Sequence, residues 1–363
     1  MYNDHQHQAT DIHLKKDVWD GLSVKGAFYM LVHDSDSTQL EQILFSIQSL
    51  EDRLIPAFAS NRTYPWIFLT SQRFVPDYKK AIRNATRNPD HLYFGQIDLE
   101  AWTFPPWIDT SRAESAMQYS IDLNIQNAHS LHDRKQKRYQ AGLFYHHSLF
   151  NDVDYVWRVE PGSSYSCDLF QQEQDPFQVM QSENKKIGFT ITTKEDPKTS
   201  YNLWRATLYF MEQNPEWIKP KELTIMNWLI THDQYNFCHM WTGFEIISLD
   251  FLRSKPYKAF FHYIDIVGGF FYERWNDATI RTLAAAMFLD KSDVHFFNNI
   301  GFHYLWGNYC PLDNKLLENC SCHYKQNNLF EESSCTLELL REINPQTIND
   351  IIQFGISKWE YKS

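Results

Sequence analysis

KGAFYMLVH, Lys25 to His33, is an almost unbroken apolar run that stops at Asp34-Ser35-Asp36, so it reads as a buried strand ending in a turn. Leu40, Ile43, Leu44, Ile47 and Leu50 then recur at helical spacing, and YPWIFLT, Tyr64 to Thr70, is a second run of strand length. A further helix around Tyr78 to Thr86 and a strand over His91 to Ile97 continue the alternation. Strand, helix, strand is how a parallel sheet begins, because parallel neighbours need a crossover between them. The pattern predicts an α/β fold, a mixed, mainly parallel sheet flanked by helices on both faces.

The flanking sequence bounds the rest. Residues 1–24 form a polar lead too mixed to pack by itself, and 25–363 read as one large domain with a Cys-rich segment over 310–335. After Lys198 the pattern reads as helices and irregular aromatic loops that cap the sheet. Hydrophobic residues at 43% and aromatics at 16% exclude a disordered chain and point to stacking surfaces as well as core. A net charge of -11 offers no broad positive field to a phosphate backbone, so nucleic acid is not an expected partner and any anionic ligand must be held locally. No stretch approaches the ~20 apolar residues of a membrane span. The start, MYNDHQHQATD, lacks the pattern of a signal peptide.

Six cysteines, an even number, suit disulfides in an oxidising compartment. Cys310, Cys320, Cys322 and Cys335 crowd one segment, with Cys167 and Cys238 more isolated. Cys320 and Cys322 are too close to bridge each other, so Cys310 and Cys335 are each expected to take one of them, in either of two connectivities. A zinc cluster with His323 is the rival, weakened by the absence of paired CxxC spacing. Possible glycosylation triplets begin at Asn61, Asn84 and Asn319.

In α/β sheets ligands bind at the carboxyl ends of strands, so the tips at His33–Asp36 and Glu160–Gly162 should converge on one cleft. The second tip closes YVWRVEPG, Tyr155 to Gly162, in which a β-rich run delivers one carboxylate, Glu160, to a Pro-Gly turn. Neither GxGxxG nor GxxxxGK[ST] is present, so a diphosphate held here needs a metal and basic groups. Asp152-Val153-Asp154 is a literal DxD, but it precedes its strand and reads as a solvated turn. The competing reading of Glu160 is a salt bridge to Arg158 or a neighbouring Arg.

Other candidates follow. Glu245 lies in TGFEI between apolar neighbours, where a carboxylate must be paired or needed for chemistry. Glu273 and Asp277 in YERWNDA stand four apart and could share a helical face, with Glu273 paired to Arg274. His295 and His303 frame the strand-like HFFNNIGFH, and only His303, just past an apolar run and a Gly, is placed to hold a metal. RKQKRYQAG offers Arg134, Lys135, Lys137 and Arg138 upstream of an aromatic strand, against the alternative of a solvated basic face.

Taken together, YPWIFL, WIDTSRAES, RYQAGLFYHH, DYVWRVEPG, NFCHMWTGFEIISLDFLRS, GGFFYERWNDA, HFFNNIGFHY and the CP…CxC…C tail make the chain resemble the fungal Golgi α-1,2-mannosyltransferases, type II membrane enzymes. The resemblance implies the single-domain GT-A fold, GDP-mannose as donor, Mn2+ as cofactor and retention at the anomeric carbon. It implies Glu160 as the metal-binding glutamate, Glu245 as the catalytic carboxylate, and Arg134 and Arg138 beside Glu160 in holding the donor. Mannose-terminated N- or O-glycans are the implied acceptors and the Golgi lumen the implied location, with the membrane met only through an anchor outside this sequence. Two positions depart from the pattern. Tyr304 stands where many members carry a second metal ligand, a His, which puts His303 forward as the metal ligand here, and Asp133 stands where a Tyr is common. The GFHY form is similar to a branch linked to mannosylphosphate transfer, which becomes the second expected activity. A third expectation is mannan binding without turnover.

Overall fold

The computed structural model describes residues 10–32, 37–54, 63–169 and 175–360. His33–Asp36 and Asn61-Arg62 lie outside the described residues, so the turn and the triplet read there are not placed.

The opening alternation is present. β1 (Gly26–Leu31), β2 (Trp66–Thr70) and β3 (Leu92–Gln96) pair in parallel, with helices Ser37–Leu54 and Pro76–Ala85 in the connections. Every residue of β1 and β2 is buried, as expected of strands covered on both faces. The chain then forms β4 (Tyr155–Val159), β5 (Ser164–Tyr165), β6 (Ile187–Phe189), β7 (Thr192–Lys194), β8 (Ile230–Thr231), β9 (Gln234–Tyr235), β10 (Cys238–Met240), β11 (Phe244–Ser248), β12 (Val294–Phe296), β13 (Phe302–Tyr304) and β14 (Gly307–Tyr309). The main sheet has the order β12-β6-β11-β4-β1-β2-β3. All its pairings are parallel except those of β11, which runs antiparallel to both β4 and β6. Smaller sheets join β10 to β7, β14 to β13 to β5, and β8 to β9.

The half after Lys198 therefore does more than cap the sheet, since β11 is central and β12 forms an edge. HFFNNIGFH is two strands in different sheets. The aromatic stretch after Gly142 is a pair of short 3-10 turns, Phe144–His146 and Ser148–Phe150, rather than a strand.

Alternation along β4 sorts the two faces. Trp157 packs with Phe28, Phe177 and Phe244 on one face. Arg158 lies on the other, beside its register partners Tyr29 and Glu245. Helices Leu131–Gly142, Lys255–Val267 and Asp277–Phe288 contact one another, and Gln140 and Arg281 from two of them reach this second face. Part of the polar lead is packed on the body. Asp11 and Phe94 exchange hydrogen bonds along the edge strand β3, and Trp19 Nε1 donates to the Gly26 carbonyl.

Candidate active site

Glu160-Pro161-Gly162-Ser163 is a tight turn closed by Ser163 N donating to the Glu160 carbonyl at 3.0 Å. Pro at the second place and Gly162 at φ 90 in the third are what a type II turn requires. Ser46, on helix Ser37–Leu54, locks the turn by donating to the Glu160 carbonyl and accepting from Gly162 N. Sequence thus fixes the backbone that carries Glu160 at the carboxyl end of β4.

Because β11 runs against β4, it is the start of β11 that reaches the same rim, bringing Trp241, Thr242 and Gly243 next to Glu160. A cleft of about 430 Å³ opens there. Its walls carry Glu160, Arg158 and Lys137, the Arg274–Asp133 ion pair at 2.9 Å, amide side chains including Gln39, Gln42 and Asn276, and the rings of Trp241, Tyr304 and Trp306.

Below the floor lies a buried ionic network. Arg158 donates to Glu160 through Nε and to Asp277 Oδ2 through Nη1, each at 2.5 Å. Asp277 Oδ2 also accepts from Thr242 Oγ1 at 2.9 Å, and Lys137 Nζ stands 3.5 Å from Oδ1. One helical turn further on, Arg281 donates to Glu245 Oε2 and to the Gln140 carbonyl. Three cations thus face three carboxylates, Glu160, Glu245 and Asp277, the balance that buried charge demands.

The field of this network separates the acids. Burial raises the Glu245 carboxyl, and Arg281 and Arg158 only partly offset it. Burial would raise Asp277 too, but Arg158, Lys137 and Arg281 outweigh it and hold that carboxyl well below its ordinary value. Burial, then Glu160, push the Tyr304 phenol up, so at neutral pH it is a neutral donor.

Glu160 and Glu245 are brought together around Arg158, Glu160 on the cleft wall and Glu245 beneath the floor, 2% exposed. Arg281 takes Glu245 Oε2 and leaves Oε1 with no hydrogen-bond partner. His303 does not join them. It is exposed on β13 and turned out, because strand alternation sends its neighbour Tyr304 to the cleft instead.

Arg134 and Arg138 also lie outside the cleft. Arg134, 1% exposed, donates to the Phe270, Glu273 and Ala128 carbonyls, and burial, then Arg274, lower it to about 10. Arg138 clasps Asp265 through Nε and Nη2 at 2.7 and 2.9 Å. Helix geometry explains this, since residues four apart share a face and the cleft face of Leu131–Gly142 carries Asp133, Gln136 and Lys137.

The remaining candidates sort in the same way. Glu273 accepts from Asn202 and Trp275 rather than pairing with Arg274, and it ends a short turn before Asp277 starts a new helix. Asp152 and Asp154 sit at the far end of β4, and His295 is on β12 against Phe297 and Glu183. The disulfides are Cys167–Cys320, Cys238–Cys335 and Cys310–Cys322, so Cys335 finds Cys238 rather than Cys320 or Cys322, and no described cysteine is free for zinc. Sequence reading missed the central place of Asp277 and Arg281. Their four-residue spacing on one helix was the available signal.

Residues 2–343 match the family described as Glycolipid 2-alpha-mannosyltransferase. Alpha-1,2 mannosyltransferase KTR1 of Saccharomyces cerevisiae is 36% identical over 323 residues, 88% of this chain and 78% of that protein. Glycolipid 2-alpha-mannosyltransferase 1 of Candida albicans is 35% identical over 86% of this chain and 70% of its own length. Among solved structures, mannosyltransferase Ktr4p of S. cerevisiae in complex with GDP superposes with a TM-score of 0.82 at 31% identity, covering 95% of this chain and 88% of that one. Core-mannan synthase A (CmsA/Ktr4) of Aspergillus fumigatus, in an Mn/GDP form, gives 0.80 at 29% identity, covering 89% and 86%.

Proposed function

Since this chain belongs to the glycolipid 2-alpha-mannosyltransferase family, we propose that it transfers mannose from GDP-mannose to a mannose-terminated glycan in an α-1,2 linkage. The observation that carries the reading is the cleft at the end of β4, where Glu160 stands among cations in a chain otherwise strongly acidic. A nucleoside diphosphate fits this setting. Lys137 and Arg274 offer local positive charge, and the amides of Gln39, Gln42 and Asn276 offer hydrogen bonds to base and sugar.

The donor set suits Mn2+ as well. Glu160, anchored through one oxygen by Arg158, presents a hard carboxylate ligand, and diphosphate oxygens and water complete an oxygen shell of the kind this ion takes. When bound, the ion supplies charge neutralisation on the leaving diphosphate. The rest falls to the protein. As the bond from the anomeric carbon to the diphosphate breaks, its electron pair leaves with GDP and positive charge grows on the sugar. Glu245, beneath the cleft floor, is the negative group we assign to offset that charge through its field. The Tyr304 phenol, kept protonated, donates toward Glu160 or a phosphate oxygen. The acceptor hydroxyl forms the new bond and gives its proton to the departing phosphate.

Three disulfides suit a lumenal compartment, and we propose the Golgi lumen as that compartment. Among the described residues no helix is long and apolar enough to cross a membrane. The test is incubation with GDP-mannose, Mn2+ and methyl α-mannoside. A disaccharide that disappears with EDTA and returns with added Mn2+ is the expected product. Tyr304 in the cleft in place of an imidazole favours a second reading, mannosylphosphate transfer, whose product would be mannose 1-phosphate joined to the acceptor.

A further inference from the structure

Two of the three glycosylation triplets lie among the described residues, and the fold treats them in opposite ways. Asn84-Ala85-Thr86 ends the helix Pro76–Ala85, with Thr86 extended at φ -91 and ψ 151 just beyond it. Tyr78, Lys79 and Ile82 are the buried face of that helix, which packs on Ser37–Leu54. Asn84 follows Ile82 by two residues, about 200° further round the helix, and is exposed. The Thr86 hydroxyl is instead buried and donates to Glu51 Oε1 at 2.6 Å. The Asn84 amide thus stays open in the folded protein, while the hydroxyl that completes its triplet is free only before the helix end docks.

The place is clear of the cleft. β2 and β3 are parallel, so the helix between them runs back and its last turn lies at the amino ends of the strands. The cleft is at the carboxyl end of β4, which runs parallel to β1 and β2. A bulky glycan on Asn84 therefore stands at the far end of the sheet from the chemistry. Asn319-Cys320-Ser321, by contrast, is held at every residue. The Asn319 carbonyl accepts from Asp168 N at 2.8 Å, Cys320 is bridged to Cys167, and Ser321 N donates to the Ser166 carbonyl at 2.7 Å. Ser321 Oγ donates to the same carbonyl and accepts from Arg53 Nη2 at 3.1 Å. The middle residue makes the difference, since Ala85 has no reactive side chain, whereas the Cys320 thiol draws its triplet against a partner made 153 residues earlier.

We infer that Asn84 carries an N-linked glycan and that the Cys167–Cys320 bridge keeps Asn319 bare. This rests on the lumenal reading. The donor is an oligosaccharide on a polyprenyl diphosphate, brought by a separate oligosaccharide transferase. The Asn84 amide nitrogen bonds to the anomeric carbon, the bond from that carbon to the diphosphate breaks, its electron pair leaves with the diphosphate, and one amide proton goes with it.

The test expresses the chain in a fungal secretory host, releases glycans with peptide N-glycosidase in heavy-oxygen water, and reads each triplet by peptide mass. Label at Asn84 and none at Asn319 is the expected result. Asn84 without label, or Asn319 with it, overturns the inference. Cys167→Ser frees Cys320 and should bring label to Asn319. The glycan is added to the nascent chain, so this variant is read whether or not it folds, and an Asn319 still bare overturns the role of the bridge. Asn84→Gln should lose the mass of one glycan and keep transfer to methyl α-mannoside within about twofold, as expected of an exposed site. A larger loss of transfer contradicts a place remote from the cleft. The Cys167–Cys320 peptide from the unreduced protein reports on the lumenal reading separately: a bridge with Asn84 bare removes the glycan site alone, and bridge and label both missing remove the location with it.

Discussion

Arg158 is the residue on which the charges turn, holding Glu160 in the cleft wall and Asp277 beneath it. Asp277 has a depressed carboxyl pKa in the folded protein, so its contribution to stability is complete above the unfolded value of about 3.9 and is lost as pH falls through the folded one. Asp277→Asn should therefore be less stable than wild type at pH 7, by about 3 kcal/mol for a broken buried pair. The gap in Tm should begin to narrow below about pH 4, and a gap constant from pH 7 to pH 2 would refute the assignment. Glu160→Ala should abolish Mn2+-dependent GDP binding measured by calorimetry. Glu245→Gln should leave that binding within a few-fold but slow transfer by about a hundredfold or more, because it removes charge that acts only as the sugar becomes positive. Wild-type turnover in Glu245→Gln would remove it from the chemistry.

Elements show what the sequence could and could not convey. The β1 to β3 region was legible because each strand and helix announces its own period over five or more residues. Phe244–Ser248 was not read as a strand, since five buried residues carry no alternation to distinguish them from a loop or a helical turn. That omission hid the antiparallel insertion that brings Thr242 to the cleft. The basic run Arg134 to Gly142 was singled out, but such a run does not say which face of its helix is inward, so Lys137 on the cleft side was passed over for Arg134 and Arg138. Glu160 was legible because its Pro-Gly turn is written in the sequence, and His303 misled because a shift of one place on a strand reverses the side chain. The loop leading to Asp277 is equally exacting. A Cβ on Gly269 would stand 2.0 Å from the Trp275 ring, so Gly269→Ala should cost about 1–3 kcal/mol in thermal unfolding and lower transfer with it.

At the scale of the whole molecule, three bridges tie the segment over 310–335 to itself and to the body. Cys238–Cys335 spans 97 residues and Cys310–Cys322 only 12. In the chain-entropy account the longer loop restrains the unfolded state more, about 4.7 against 3 kcal/mol. Replacing Cys238 and Cys335 together by Ser should therefore lower Tm more than replacing Cys310 and Cys322, as scanning calorimetry would show, and the reverse order would point to native contacts rather than loop closure. The bridges also impose an order of events on the newborn polypeptide. Cys167 leaves the ribosome 153 residues ahead of its partner Cys320, a wait of roughly 10–30 s at ordinary rates of synthesis. Within that interval the two other thiols to emerge are those of Cys238 and Cys310, whose own partners, Cys335 and Cys322, are later still. The first bond open to Cys167 is thus a wrong one, and maturation of this protein should depend on a catalyst able to undo it.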